Sequence, residues 1–215
     1  MWGFSAELYP AKYFLEANAK ELRIALYTAN EFNYATSAGL NEEAIVMTCS
    51  WGGTTPETVV ASKLAMEKGA VVIAITNNGN SSLAHACHYL VVYDWEDSYS
   101  AKMDKMNKAL FIVVEILNQY EGFENYDAMI KGFHDIYGII DDAVKSVLPQ
   151  AQVFVEAYKD AEVIDVMSSE ATHKVAYSFS ICLLTEMQWM NSGSFHDGEL
   201  FHGPKLQINM FHSSY

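Results

Sequence analysis

The spacing of apolar residues changes period several times along the chain, and each change marks an element. Between residues 5 and 21, Leu8, Ala11, Tyr13, Phe14, Leu15 and Ala17 recur at roughly helical spacing with Lys and Arg following, which predicts an amphipathic helix. RIALYTA (23–29) alternates and reads as a strand, and NEFNYATSAG (30–39) reads as a short helix ending at Gly39. AIVMTCS (44–50) is a β-prone apolar run that leads into a turn rich in glycine and threonine. A helix is then predicted from Pro56 to Gly69, because proline suits the first helical turn and glycine the end. The β-branched run VVIAIT (71–76) follows as a strand, NNGNSSLAHAC (77–87) as a turn with a short helix, and YLVVY (89–93) as another buried strand.

Strands alternating with helices through short connections predict an α/β fold, a parallel sheet flanked by helices on both faces. Met103, Met106, Leu110, Val113, Val114 and Leu117 predict a long helix over 101–121, with further helices over 125–147 and 149–160. AEVIDVM (161–167) reads as a strand and 171–190 as a helix, after which about 25 residues remain, too few to complete a second sheet. The expected organisation is therefore a first α/β subdomain over 1–100, a helical connection over 101–160 and a partial second subdomain over 161–215.

Composition narrows the class. With 51% hydrophobic and 19% charged residues the chain carries enough apolar mass for a core, yet no stretch reaches the ~20 uninterrupted apolar residues that span a bilayer. Thirteen Lys and Arg against 27 Asp and Glu give a net charge of −14, which repels nucleic acid. Three cysteines without CxxC spacing form neither a disulfide framework nor a metal site, and the N-terminus lacks the pattern of a signal peptide, so a cytoplasmic protein is expected. Arg23 is the only arginine; any anionic ligand then has to be held by hydroxyls, backbone N–H groups and a helix N-terminus.

Two segments carry candidate chemistry. TCSWGGTTPETV (48–59) lies where a strand feeds a helix, the position at which open α/β sheets bind ligands. Ser50, Thr54, Thr55 and Thr58 cluster their hydroxyls there, and Gly52 and Gly53 let the backbone approach a phosphate closely. The same residues also suit an ordinary glycine-rich turn with a threonine helix cap. GELFHGP (198–204) sets Glu199 three residues before His202. Upstream, Glu186 sits in the apolar stretch FSICLLTEMQW, where an ionised carboxylate is costly and a proton-carrying one suits acid–base work. Read alone, Glu186 fits a solvent-facing helix position and His202 a turn histidine equally well. The remaining histidines have no paired-ligand spacing, and no metal or other cofactor is expected.

Taken together, TCSWGGTTPETV and GELFHGP, with 150 positions between their starts, resemble the phosphate loop (SxSGxT) and the GExxHGP loop of the sugar isomerase (SIS) family. GFSAELYPAKYFL resembles that family's first Gly-Ser turn and helix, TANEF its NEF or SEF segment, and NNGNSSLAHACHYLVV its loop and third strand. ATHKVAYSF and HDGELFHGP look most like the fructosamine 6-phosphate deglycase branch, related to the isomerase domain of glucosamine-6-phosphate synthase. The resemblance implies that Ser50 and Thr55 bind phosphate, with Gly52 and Gly53 in that loop and Ser5 and Glu199 also in the substrate site. It implies that Glu186 is the catalytic glutamate and His202 the ring-opening histidine, since the family separates these two by sixteen positions, as here. It further implies a cofactor-free enzyme and a homo-oligomer whose histidine loop completes a neighbour's site.

The chain departs from the pattern at three places. Gly52 stands where the family usually has the second serine of SxSGxT, Met167-Ser168-Ser169-Glu170 replaces a Gly-Ser-Gly turn, and the ends look trimmed relative to a whole double-SIS protein. The expected activity is that of a deglycase of fructosamine 6-phosphates, a hydrolase-type reaction yielding glucose 6-phosphate and an amine. An aldose–ketose phosphosugar isomerase, or a non-catalytic phosphosugar sensor, is the alternative.

Overall fold

The computed structural model describes residues 4–94 and 99–203, with the backbone alone for residues 4, 5 and 99–103. Its compact units meet in sequence at Pro149 and Gln150.

In the first unit, α1 (Phe4–Asn18) and α2 (Ala29–Tyr34) precede β1 (Ile45–Cys49), α3 (Pro56–Glu67), β2 (Val71–Thr76), β3 (Tyr89–Val92) and α4 (Tyr99–Tyr120). The strands form a parallel sheet in the order β1-β2-β3, with Cys49 opposite Ile75 and Ile75 opposite Val91. Because side chains alternate across a sheet, β1 and β2 each serve a core on either face. Cys49 and Ile75 pack with Ala11 and Leu15 of α1 and Ala109, Val113 and Leu117 of α4, whereas Ala74 packs with Val59 of α3 on the opposite face. Helices thus cover both faces, as the α/β expectation requires. Thr48 Oγ1 and Ser62 Oγ, 3.0 Å apart and both buried, bond α3 to β1.

Several expected elements differ. Residues 23–29 form no strand: backbone N–H groups of Lys20, Glu21 and Leu22 donate to the Glu121 carboxylate at 2.6, 3.0 and 2.8 Å, while Leu22 and Ile24 pack against the core. The helix expected to end at Gly39 stops at Tyr34, and 77–87 contains turns with no helix. β3 is largely exposed, with Tyr89 at 64%.

α5 (Tyr126–Tyr158) is one helix where two were expected, running through Pro149, whose missing N–H removes only one bond of the ladder. In the second unit, β4 (Val166–Ser168) pairs in parallel with β5 (Ser194–His196), placing Ser168 opposite His196. The helix expected over 171–190 is a composite: a 3₁₀ turn over Glu170–Thr172, α6 (His173–Ser178) and a π-helix over Phe179–Met187. Glu170 has φ +50°, a left-handed backbone that favours glycine. No helix among the described residues is long and apolar enough to cross a membrane.

Candidate functional site: the loop at the carboxyl edge of the sheet

β1 and β2 are parallel, so the loops leaving Cys49 and Thr76 emerge at one edge of the sheet and can brace each other. Asn77 N–H and Thr76 Oγ1–H both donate to the Trp51 carbonyl, at 2.9 and 3.0 Å, and Leu83 N–H donates to the Gly53 carbonyl at 2.9 Å. Gly53 holds φ +64°, and a Cβ there would fall 2.0 Å from Ser81 Oγ. Glycine is obligatory at 53 on both counts. Gly52 differs, because the nearest atom to a Cβ at that position is Thr54 Oγ1 at 3.7 Å. Space alone would admit a serine there, so of the two glycines only Gly53 is demanded by a close approach.

Within this frame the Ser50 and Thr55 hydroxyls lie 3.1 Å apart. Thr55 is the N-cap of α3 but makes no side-chain cap bond, its hydroxyl being turned to Ser50 instead. Pro56 at the first helical position has no N–H and the Thr58 N–H donates to the Thr55 carbonyl at 3.1 Å, so the Glu57 N–H is the first-turn donor left at this end, where the helix dipole is positive. Two hydroxyls beside the N-terminus of a twelve-residue helix form an arrangement able to hold an anion without arginine.

Below the same edge of the sheet, on its α1 and α4 face, a charged pair is enclosed. Lys105 Nζ lies 2.6 Å from Glu7 Oε1, and each side chain is only 16% exposed. Burial raises the Glu7 carboxyl above its usual range, with Lys105 opposing the rise. Burial likewise pushes the Cys49 thiol up to about 12 and raises the fully buried Tyr93 phenol.

The acid–base candidates belong to the second unit. Glu186 lies near the end of the π-helix and is exposed. The enclosure expected of its apolar stretch is therefore absent in a single chain: Cys182 and Leu184 turn inward while Glu186 faces out. Glu199 and His202 share the 3₁₀ helix Asp197–His202 and are exposed, three residues apart and so on one side of it. The side chain of Ser5, and Pro204 at the end of GELFHGP, lie outside the described residues. Among the described residues no group of three or more His, Cys, Asp and Glu side chains could hold a metal ion.

Residues 20–113, which include the Ser50–Thr55 loop, match the family model of the SIS domain. The chain carries a SIS domain. Fructosamine deglycase FrlB of Bacillus subtilis (strain 168) is 38% identical over 202 residues, covering 94% of this chain and 62% of that protein. The isomerizing glutamine–fructose-6-phosphate aminotransferase of Corynebacterium diphtheriae is 27% identical over 187 residues, 82% of this chain and 29% of that protein. Among solved structures, a candidate phosphosugar isomerase from Salmonella typhimurium LT2 superposes with a TM-score of 0.92 at 35% identity, covering 95% of this chain and 62% of that one. The C-terminal domain of glucosamine-fructose-6-phosphate aminotransferase from Francisella tularensis shares the fold, with a TM-score of 0.82 at 18% identity over 96% of this chain and 60% of that one. The chain spans less than two thirds of the length of these relatives.

Sequence reasoning found the SIS loop but missed its support. Thr76, Asn77 and Leu83 hold the Trp51–Gly53 backbone, and the run Asn77-Asn78-Gly79-Asn80 was the available signal, since such residues stabilise tight turns by side-chain bonds to backbone. The Glu7–Lys105 pair joins residues 98 positions apart and had no local signal.

Proposed function

We propose that this chain acts on fructosamine 6-phosphates, releasing glucose 6-phosphate and an amine. The observation that carries the reading is the Ser50–Thr55 hydroxyl pair at the open N-terminus of α3, and the 38% identity to a fructosamine deglycase supports the choice of substrate. The phosphate accepts hydrogen bonds from Ser50, Thr55 and the Glu57 N–H, and the helix dipole stabilises its charge. Gly52 and Gly53 carry the loop backbone past the phosphate, and Ser5 and Glu199 contact the sugar.

His202 moves a proton from the anomeric hydroxyl to the ring oxygen, which opens the hexose to the 2-ketone. The Glu186 carboxylate then takes a proton from C1 and returns it to C2, while a proton from nitrogen passes to O2. The ketoamine becomes an imine between C1 and the amine. Water adds at C1, the C1–N bond breaks, and the amine leaves with a proton as the C1 aldehyde of glucose 6-phosphate forms. C1 is oxidised as C2 is reduced within one molecule, so no outside oxidant or reductant is needed, and protein side chains suffice for every proton transfer. Glu186 and His202 lie in a different unit from the phosphate loop, and each is exposed in one chain. The resemblance to the SIS family supports a working site completed in a homo-oligomer, with the histidine loop supplied by a neighbouring copy.

The test supplies the purified chain with fructoselysine 6-phosphate and follows glucose 6-phosphate with a coupled dehydrogenase and free lysine by chromatography. Equimolar release of both products is expected. Interconversion of fructose 6-phosphate and glucose 6-phosphate without cleavage of the ketoamine would identify an isomerase, and tight phosphosugar binding without turnover a sensor.

A further inference from the structure

The 3₁₀ helix that carries Glu199 and His202 begins at His196, whose ring does more than end β5. Its Nδ1 accepts the Gly198 N–H at 3.1 Å, so the imidazole serves as the cap of that helix. Gly198 is shaped for this: a Cβ there would sit 3.3 Å from His196 Nδ1, tight enough to press the ring away. His173, at the start of α6, packs against it with centroids 5.2 Å apart, and Ser168 lies opposite His196 in the β4–β5 register. Asp197 Oδ1 accepts the same Gly198 N–H at 2.7 Å, giving the first free N–H of the turn two acceptors. Asp197 Oδ1 also lies 3.2 Å from His196 Nδ1, so the two side chains converge on the one Gly198 N–H.

We infer that His196 is a positioning residue, the cap that fixes the Asp197–His202 helix and with it the direction of Glu199 and His202. The inference rests on the functional reading above, in which His202 opens the sugar ring and Glu199 touches substrate. His196 itself touches no reacting atom; it acts through the helix it begins. Asparagine is among the strongest helix caps and presents an oxygen where histidine presents Nδ1, whereas alanine presents nothing.

The experiment compares His196→Ala with His196→Asn in the full chain by two readouts. Hydrogen–deuterium exchange over 197–202 should speed up about tenfold in His196→Ala, the usual scale of losing a helix cap, and return close to the parent rate in His196→Asn. With fructoselysine 6-phosphate, kcat should fall by a similar factor in His196→Ala with little change in KM, and recover in His196→Asn. Exchange unchanged in His196→Ala, or equally fast in both variants, overturns the inference; in the latter case packing against His173 matters rather than the cap. If the parent chain shows no turnover, the functional reading fails, yet the exchange comparison still decides whether His196 caps this helix.

Discussion

Ser50 Oγ and Thr55 Oγ1 stand 3.1 Å apart at opposite ends of a six-residue loop, joined across the start of α3. The loop reaches from the last residues of β1 to a helix N-cap, and its two end hydroxyls meet because Gly53 turns the chain back between them with φ +64°. Each hydroxyl has one proton, so in the mutual bond one donates to the other and the second is left to donate to an anion, and both donate to it once that bond opens.

Removing either hydroxyl should therefore weaken phosphosugar binding. Ser50→Ala and Thr55→Ala are each expected to cost about 1–3 kcal/mol in affinity for glucose 6-phosphate, measured by calorimetry. The fold should tolerate both changes. Unchanged affinity in both would move the phosphate elsewhere.

Gly53→Ala should cost roughly 2–4 kcal/mol of stability, combining left-handed backbone strain with a forced shift of Ser81. Since a Cβ at 53 would meet Ser81 Oγ at 2.0 Å and Ser81 Cβ at 2.5 Å, the double variant Gly53→Ala with Ser81→Gly should recover part of the loss. Urea midpoints of the single and double variants read this directly. Additive losses would mean that backbone strain alone sets the cost.

Cys49 gives the protein an alkaline weakness. Burial holds its thiol up to about 12, against 9.0 in the unfolded chain, with the Glu7 charge adding to the rise and Lys105 opposing it. The folded state keeps a proton that the unfolded state has released, so this contribution to stability is complete below pH 9.0 and declines as pH rises toward 12. The decline is about 1.4 kcal/mol per pH unit while only the unfolded chain is ionised. Tyr93 acts with the same sign. Urea midpoints of the parent and Cys49→Ala should converge between pH 9 and 12, and parallel profiles would contradict the assignment.

Assembly follows from the surface. α5 has no buried residue along its 33 positions, and Ile139, Val147, Val153 and Val155 are 59, 51, 71 and 55% exposed. A homodimer or larger is expected in sedimentation at micromolar concentration, with Val153→Glu shifting the distribution toward monomer. A stable monomer in the parent chain would remove the shared site from the mechanism.

The elements legible in the sequence were those whose pattern and neighbours agree. VVIAIT is buried on both faces between helices, and its β-branched run announced that; Pro56 and Gly69 bracketed α3 because caps act locally. What failed depends on distant partners. Alternation in RIALYTA looked like a strand, but Glu121, about a hundred positions away, takes the N–H groups just before it. The stretch around Glu186 is apolar enough to suggest enclosure, yet the π-helix turns that carboxylate outward in a single chain. The Ser50–Thr55 loop was visible as a motif; its bracing by Thr76 and Leu83 was not, because only parallel pairing of β1 with β2 brings those loops together.

The central claim is that Glu186 moves the proton between C1 and C2 in a site that already holds the phosphate. Its most direct test is single-turnover release of glucose 6-phosphate from fructoselysine 6-phosphate by the parent chain and by Glu186→Gln, with substrate affinity measured in parallel. The glutamine keeps nearly the same shape and cannot titrate, so release should disappear while affinity stays within about twofold. Full release by Glu186→Gln would contradict the account.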